Sequence, residues 1–290
     1  MIQLESKFLF GKIVIVESIP KNGMKTGKIL YKELSDFEKI AQTGILIEYK
    51  RISTAKQLIK FLAQLKKDTK TSKKIPILHI EAHGNPSGLE LSSGELMPWS
   101  LLIEQFTNLN IETQNNLFVV VSACFGAFVM DVIRLSKMRK SPIFALQGPL
   151  ESIKAGELEL GYQAFYRELL ETKNLDKSRE LLNRVISDKI DKFMFITAQG
   201  LFYVACKLTL LQWKSSEHEK NINKLIDNDI RSKDLSPQAK KQLSESILEH
   251  NPIDYFKELY DEFMMIDLYQ ENALRFKFDK AILENILLRS

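Results

Sequence analysis

The feature that most constrains this chain is an uninterrupted apolar run, Phe118–Val121, followed by the small residues Ser122-Ala123-Cys124. A short apolar run bounded by turn residues predicts a strand buried on both faces, as at the centre of a parallel sheet. Apolar residues then recur at helical spacing from Phe128 to Leu135. We therefore expect Cys124 where a central strand passes into a helix, at the sheet edge where open α/β folds bind ligands.

A second apolar run, Ile75–Ile80, leads into Glu81-Ala82-His83-Gly84 and predicts a neighbouring strand that ends at the same edge. A thiol at a helix N-terminus is favoured as the thiolate, which is the nucleophilic form. An imidazole close to it can act as its acid–base partner. The two runs therefore predict a catalytic pair made of His83 and Cys124.

The order of three short motifs resembles the caspase-like cysteine peptidases of clan CD. The motifs are His83-Gly84, a predicted hairpin over Gly88–Gly94, and Val121–Cys124. His83 precedes Cys124 by about 40 residues, compared with about 50 between the corresponding residues of caspases. The Ser-Ala-Cys form is most similar to the CHAT branch, a separase-related group of bacterial domains. The resemblance covers residues 8 to 170.

This resemblance implies a caspase-like α/β fold, in which helices flank a mostly parallel central sheet. It also implies a cysteine endopeptidase whose oxyanion donors are the backbone N–H groups of Gly84 and Cys124. Small bacterial members of this group cleave protein partners in anti-phage or cell-death systems, for example a gasdermin-like protein, and a protein activator is expected. The resemblance implies no cofactor and no metal.

Four residues are candidates for the substrate pocket. In related branches an acidic residue two positions before the cysteine selects a basic substrate residue, but here that position is Ser122, so basic specificity does not follow. Glu81 lies on the same side of its predicted strand as His83. Gln147 and Glu151 follow the predicted fifth strand, Pro142–Leu146, and are candidates by topology.

A metal site at His79, Glu81 and His83 is the alternative interpretation of this segment. Two histidines at i and i+4 can share a zinc ion on a helix. On a strand they lie about 13 Å apart, and the apolar context of the segment favours a strand. Zinc deaminases also need a downstream Pro-Cys-x-x-Cys pair, which is missing. We therefore expect no metal, and we expect His79 to be a core residue.

The length of 290 residues suits an α/β domain over residues 1–213 and a helical extension over residues 214–290. A net charge of +4 does not indicate a nucleic-acid partner. Only two cysteines are present, far apart, which favours a reducing, cytoplasmic location. The apolar stretch Phe193–Trp213 is interrupted by Gln199, Gly200 and Lys207, so it predicts a buried helix rather than a membrane span.

Three alternatives to a peptidase stay open at this point. Cys124 could be a buried structural thiol, since free cysteines are often buried. The chain could be a catalytically silent relative that binds a partner through its helical tail. It could also be a different thiol hydrolase or acyltransferase built on an α/β sheet.

Overall fold

The computed structural model describes residues 8–132, 139–186, 192–213, 223–224, 226–229, 232–249 and 252–289. Its contacts divide the chain into two units. One consists of Ser6–Val132 and Pro142–Thr197, and the other of Met1–Glu5, Ile133–Ser141 and Ala198–Ser290. The boundary predicted between residues 213 and 214 falls later in the chain than this division and stays a prediction.

The larger unit contains the β-sheet. Its strands are β1 (Lys12–Ser18), β2 (Leu46–Arg51), β3 (Pro76–Asn85), β4 (Gly88–Glu90), β5 (Leu96–Pro98), β6 (Phe118–Ser122), β7 (Ala145–Pro149) and β8 (Phe193–Thr197). The six main strands lie in the order β2-β1-β3-β6-β7-β8, and only the β7–β8 pair is antiparallel. This confirms the predicted α/β class with a mostly parallel sheet.

Among its described residues, the same unit has five α-helices. They are α1 (Thr26–Ala41), α2 (Ala55–Ser72), α3 (Trp99–Glu112), α4 (Ala155–Thr172) and α5 (Leu175–Ile186). Helix α2 shows why such segments form: Thr54 caps its N-terminus by accepting from the Gln57 N–H, and Leu58, Leu62 and Leu65 form one buried stripe. Helix α4 packs against both α1 and α5, and α2 packs against α3.

Strands β4 and β5 form the predicted hairpin, which extends β3 beyond the main sheet. Residues His83 to Asn85 of β3 pair antiparallel with Gly88 to Glu90. The hairpin tip lies over the ends of β1 and β2. The Ser92 N–H donates to the Ser18 hydroxyl over 2.9 Å, and the Ser93 N–H donates to the Ser53 carbonyl over 3.1 Å.

The smaller unit is helical within its described residues. It contains α6 (Ala198–Trp213) and the helices Pro237–Glu249, Pro252–Phe263, Asn272–Arg275 and Lys280–Arg289. Phe202, Tyr260, Phe263 and Met264 are fully or almost fully buried and form its core. Within the described ranges, no helix combines the length and the apolar character that crossing a membrane requires.

The single helix predicted over Phe193–Trp213 is wrong, because the structure divides this stretch into β8 and α6. Residues Phe193 to Thr197 pair with β7 along their whole length. An apolar run fits a buried strand and a buried helix equally well, so its hydropathy cannot locate the change from one to the other.

Candidate active site

The site is built where the pairing between β3 and β6 ends. These strands run parallel, and their last register pair is Glu81 with Ser122. His83 and Cys124 each follow two residues beyond that pair. Because neighbouring strands lie about 4.8 Å apart, their ends reach the same point of the carboxyl edge. The structure therefore brings the two predicted catalytic residues to adjoining positions at this edge.

The main chains of Gly84 and Cys124 are in direct contact. A Cβ atom added at Gly84 would lie 2.3 Å from the Cys124 carbonyl oxygen and 3.0 Å from the Ala123 Cβ. No side chain fits in that space, so only glycine permits this approach. Gly84, predicted as an oxyanion donor, thus lies against the turn that carries the thiol.

Cys124 occupies a tight turn between β6 and a short 3₁₀ helix, Gly126–Val132. The Gly126 N–H closes the turn onto the Ala123 carbonyl over 2.9 Å, and Phe125 has a left-handed φ of 60°. The predicted helix over Phe128–Leu135 is therefore 3₁₀ in its first part, and residues 133–138 lie outside the described residues.

Two properties of this turn matter for chemistry. Cys124 is partly exposed and His83 is exposed, so both side chains reach the surface. The Cys124 N–H makes no hydrogen bond among the described residues, whereas the N–H groups of Phe125 and Gly126 are both bonded. An unbonded backbone N–H is the kind of donor that an oxyanion site requires.

The segment after β7 lies against the cysteine turn. The Ser152 hydroxyl is 3.3 Å from the Cys124 sulfur, and the Phe125 N–H donates to the Glu151 carbonyl over 3.5 Å. The Glu151 carboxylate lies 3.8 Å from the Lys192 ammonium group. Ser152 is not among the predicted site residues, and its position shortly after a strand parallel to β6 is the one signal that could have indicated it.

Of the four pocket candidates, Glu151 is exposed beside the site and Glu81 is turned inward. The Glu81 carboxylate contacts His79 Nε2 at 2.9 Å and accepts from the Thr26 hydroxyl at 2.8 Å. Only 4% of its side chain is exposed. Glu81 is therefore a structural residue of the interior, and we do not include it in the proposed pocket.

Ser122 and Gln147 are each 1% exposed. Strand β7 continues to Pro149, so Gln147 lies within the strand rather than after it. The hydroxyl of Ser122 and the side-chain carbonyl of Gln147 have no hydrogen-bond partner among the described residues. Both are buried and do not reach the surface of the site.

His79 lies at the centre of a buried polar cluster behind the strand end. Its Nδ1 is 3.1 Å from the Tyr166 hydroxyl, and the Tyr162 ring packs edge-on against the imidazole. Burial, and then the nearby charge of Glu81, raise the pKa of the Tyr162 phenol. Within the described residues no group of three His, Cys, Asp or Glu side chains is placed to hold a metal ion.

No family model matches the chain, and no curated protein matches it. Among solved structures, it is similar to the Drosophila initiator caspase Dronc, with 11% identity and a TM-score of 0.47, covering 67% of this chain and 82% of the caspase. It is also similar to iotapain, a secreted C11 cysteine protease from Bacteroides thetaiotaomicron, with 10% identity and a TM-score of 0.46. That match covers 70% of this chain and 71% of the protease. Similarity at this level does not transfer an activity.

Proposed function

We propose that this protein is a caspase-like cysteine endopeptidase, of the CHAT type, with His83 and Cys124 as its catalytic pair. The observation that supports the proposal is the main-chain contact between Gly84 and Cys124. This contact joins the strand end that carries an exposed imidazole to the turn that carries a partly exposed thiol.

In the first step the Cys124 thiolate attacks the carbonyl carbon of a peptide bond. The C–N bond breaks as the His83 imidazolium gives its proton to the leaving amine, and a thioester remains. In the second step His83 accepts a proton from water, and the resulting hydroxide attacks the thioester. The C–S bond breaks, which releases the carboxylic acid product and restores the cysteine.

The negative charge that develops on the substrate oxygen needs donors that are already in place. The Cys124 N–H, unbonded among the described residues, and the N–H of the adjoining Gly84 are the proposed donors. Loss of one such donor typically slows catalysis by about 100-fold or more.

The substrate is proposed to be a protein partner, such as a gasdermin-like or other effector, acted on in the cytoplasm in a defence or cell-death response. An activator protein is proposed to bind the helical unit. The exposed Glu151 and its partly exposed ion-pair partner Lys192 are the charged groups that we assign to the rim of the pocket.

The proposal is tested with a peptidyl acyloxymethyl ketone, a probe that becomes attached to an activated cysteine. We expect labelling at Cys124, no labelling of Cys124→Ala, and labelling weakened at least tenfold in His83→Ala, the range of general acid–base effects. Both variants should melt close to the parent temperature, because His83 is exposed and Cys124 is partly exposed.

If His83→Ala is labelled at Cys124 as strongly as the parent, the catalytic pair is contradicted and the catalytically silent adaptor is favoured. A large loss of thermal stability in Cys124→Ala would instead favour a structural thiol. Profiling with a peptide library then separates a peptidase from another thiol hydrolase or an acyltransferase, because only the peptidase releases new peptide N-termini.

A further inference from the structure

The hairpin places a carboxylate directly across from the proposed catalytic imidazole. His83 on β3 pairs with Glu90 on β4 in the antiparallel register. Directly opposed residues of an antiparallel pair lie on one face of the sheet, with their Cβ atoms about 5 Å apart. A glutamate side chain at that separation can reach an imidazole nitrogen.

Burial along the two strands shows which face these residues share. Leu89 and Leu91, the neighbours of Glu90, are buried, whereas Glu90 is exposed. The same alternation holds on β3, where Ala82 is buried and His83 is exposed. The alternation directs both side chains to the solvent face, where a substrate would bind.

The two partners of His83 lie on opposite sides of β3. The hairpin extends toward β1 and β2, since the Ser92 N–H bonds to Ser18 at the end of β1. Cys124 follows β6, which is the neighbour of β3 on its other side. The lateral order is therefore Glu90, His83, Cys124, which suits an imidazole whose two nitrogens point in opposite directions.

The Glu90 carboxylate has no structural role that would hold it elsewhere. It makes no hydrogen bond and no ion pair with any residue in the described part of the chain. Glu95, on the same hairpin, instead accepts from the Ala55 N–H over 3.0 Å. An exposed carboxylate without a structural partner, opposite an imidazole, is free to accept the N–H of that ring.

We propose that Glu90 is a positioning residue for His83, an inference that rests on the proposed function. In the active enzyme its carboxylate accepts a hydrogen bond from one imidazole nitrogen, a bond that is not formed in this structure, and the other nitrogen then faces the Cys124 sulfur. The bond fixes the tautomer and stabilises the imidazolium that pairs with the thiolate, as an acid residue does behind a catalytic histidine.

The test measures the rate at which neutral iodoacetamide alkylates Cys124 at pH 7, read on the Cys124 peptide by mass spectrometry. Glu90→Gln, Glu90→Asp and the matched control Glu95→Gln are compared with the parent, each with and without His83→Ala. We expect Glu90→Gln to slow alkylation about fivefold, the size that an exposed ion pair supports. Glu90→Asp should retain most of the rate, and Glu95→Gln should match the parent.

In the His83→Ala background, Glu90→Gln should have no effect, because Glu90 acts through the imidazole. An unchanged rate for Glu90→Gln, or an equal loss in both backgrounds, overturns the positioning role while leaving the catalytic pair intact. A faster rate would mean that Glu90 acts directly on the sulfur as a repelling charge, which also overturns it. If His83→Ala alone leaves the rate unchanged, the catalytic pair itself is contradicted.

Discussion

The main chain of Gly84 touches the main chain of Cys124 so closely that a Cβ on the glycine would lie 2.3 Å from the cysteine carbonyl oxygen. The contacted atom belongs to the backbone, so it cannot move aside as the end of a flexible side chain could. The arrangement of the candidate site therefore depends on the absence of a side chain at this position.

The first prediction is that Gly84→Ala separates the two strand ends. We expect a loss of about 1–3 kcal/mol in unfolding free energy from overpacking. Probe labelling of Cys124 should fall at least tenfold, since small misplacements of reacting groups are costly. Gly156→Ala is the matched control, because a Cβ there meets nothing within 4 Å and its helix should gain up to about 1 kcal/mol. Parent-like labelling of Gly84→Ala would show that the contact is not needed.

The second prediction concerns Ser152, whose hydroxyl lies 3.3 Å from the Cys124 sulfur. A carboxylate at this position disfavours the thiolate by like-charge repulsion, so Ser152→Glu should slow iodoacetamide alkylation of Cys124 about tenfold. Ser100→Glu, on the exposed surface of α3, adds the same charge elsewhere and should leave the rate unchanged. Equal rates for both glutamate variants would place Ser152 away from the sulfur in solution.

The third prediction tests the left-handed backbone of Phe125, whose φ is 60°. Phe125→Ala and Phe125→Gly both remove the ring and its contact with Phe128, so they differ only in backbone preference. Glycine is normally less stable than alanine by about 0.5–1 kcal/mol, but the left-handed region penalises alanine by about 1–2 kcal/mol. Urea unfolding should therefore find the glycine variant more stable. An alanine variant of equal or higher stability would contradict this backbone conformation.

The fourth prediction is that Glu81 stabilises the fold rather than binding substrate. Its buried carboxylate bonds to His79 and Thr26, so Glu81→Ala should destabilise the protein by about 3 kcal/mol in urea unfolding. Glu180→Ala, which breaks the exposed pair with Arg184, should change stability by less than about 0.5 kcal/mol. A small effect of Glu81→Ala with a large change in substrate preference would return Glu81 to the pocket.

The fifth prediction concerns selectivity between the two cysteines. Burial raises the pKa of the Cys206 thiol, so this group stays protonated at neutral and mildly basic pH. Iodoacetamide at pH 8 should modify Cys124 and leave Cys206 unreacted in the folded protein, while guanidinium should expose both. Modification of native Cys206 at a rate similar to Cys124 would contradict its burial.

The sequence predicted the site best where a reactive side chain closely follows an apolar run. The run Phe118–Val121 is short and is followed by small turn residues, which favours a buried strand, and the strand before His83 has the same character, so their neighbouring ends were predictable. The main-chain contact between Gly84 and Cys124 was not predictable. A single glycine gives no hydropathy pattern, and the distance between the two segments depends on the direction in which each leaves the sheet.

Two pocket candidates lie elsewhere than the sequence predicts, because tertiary contacts bury one of them and lengthen the strand that contains the other. Strand alternation predicts Glu81 on the same side as His83. Glu81 is instead buried, where it accepts a hydrogen bond from Thr26 of α1. Its neighbour His79 contacts Tyr166 of α4. Gln147 was expected after its strand, yet pairing with β8 keeps it within the sheet. Neither effect can be read from local sequence.

The contact of Gly84 with Cys124 joins segments that are distant along the chain and meet only once β3 and β6 stand side by side. Until that pairing forms, the sulfur has neither its imidazole nor its amide neighbours. A nascent or partly unfolded copy would then lack the proposed activity, which would appear only once the sheet is complete.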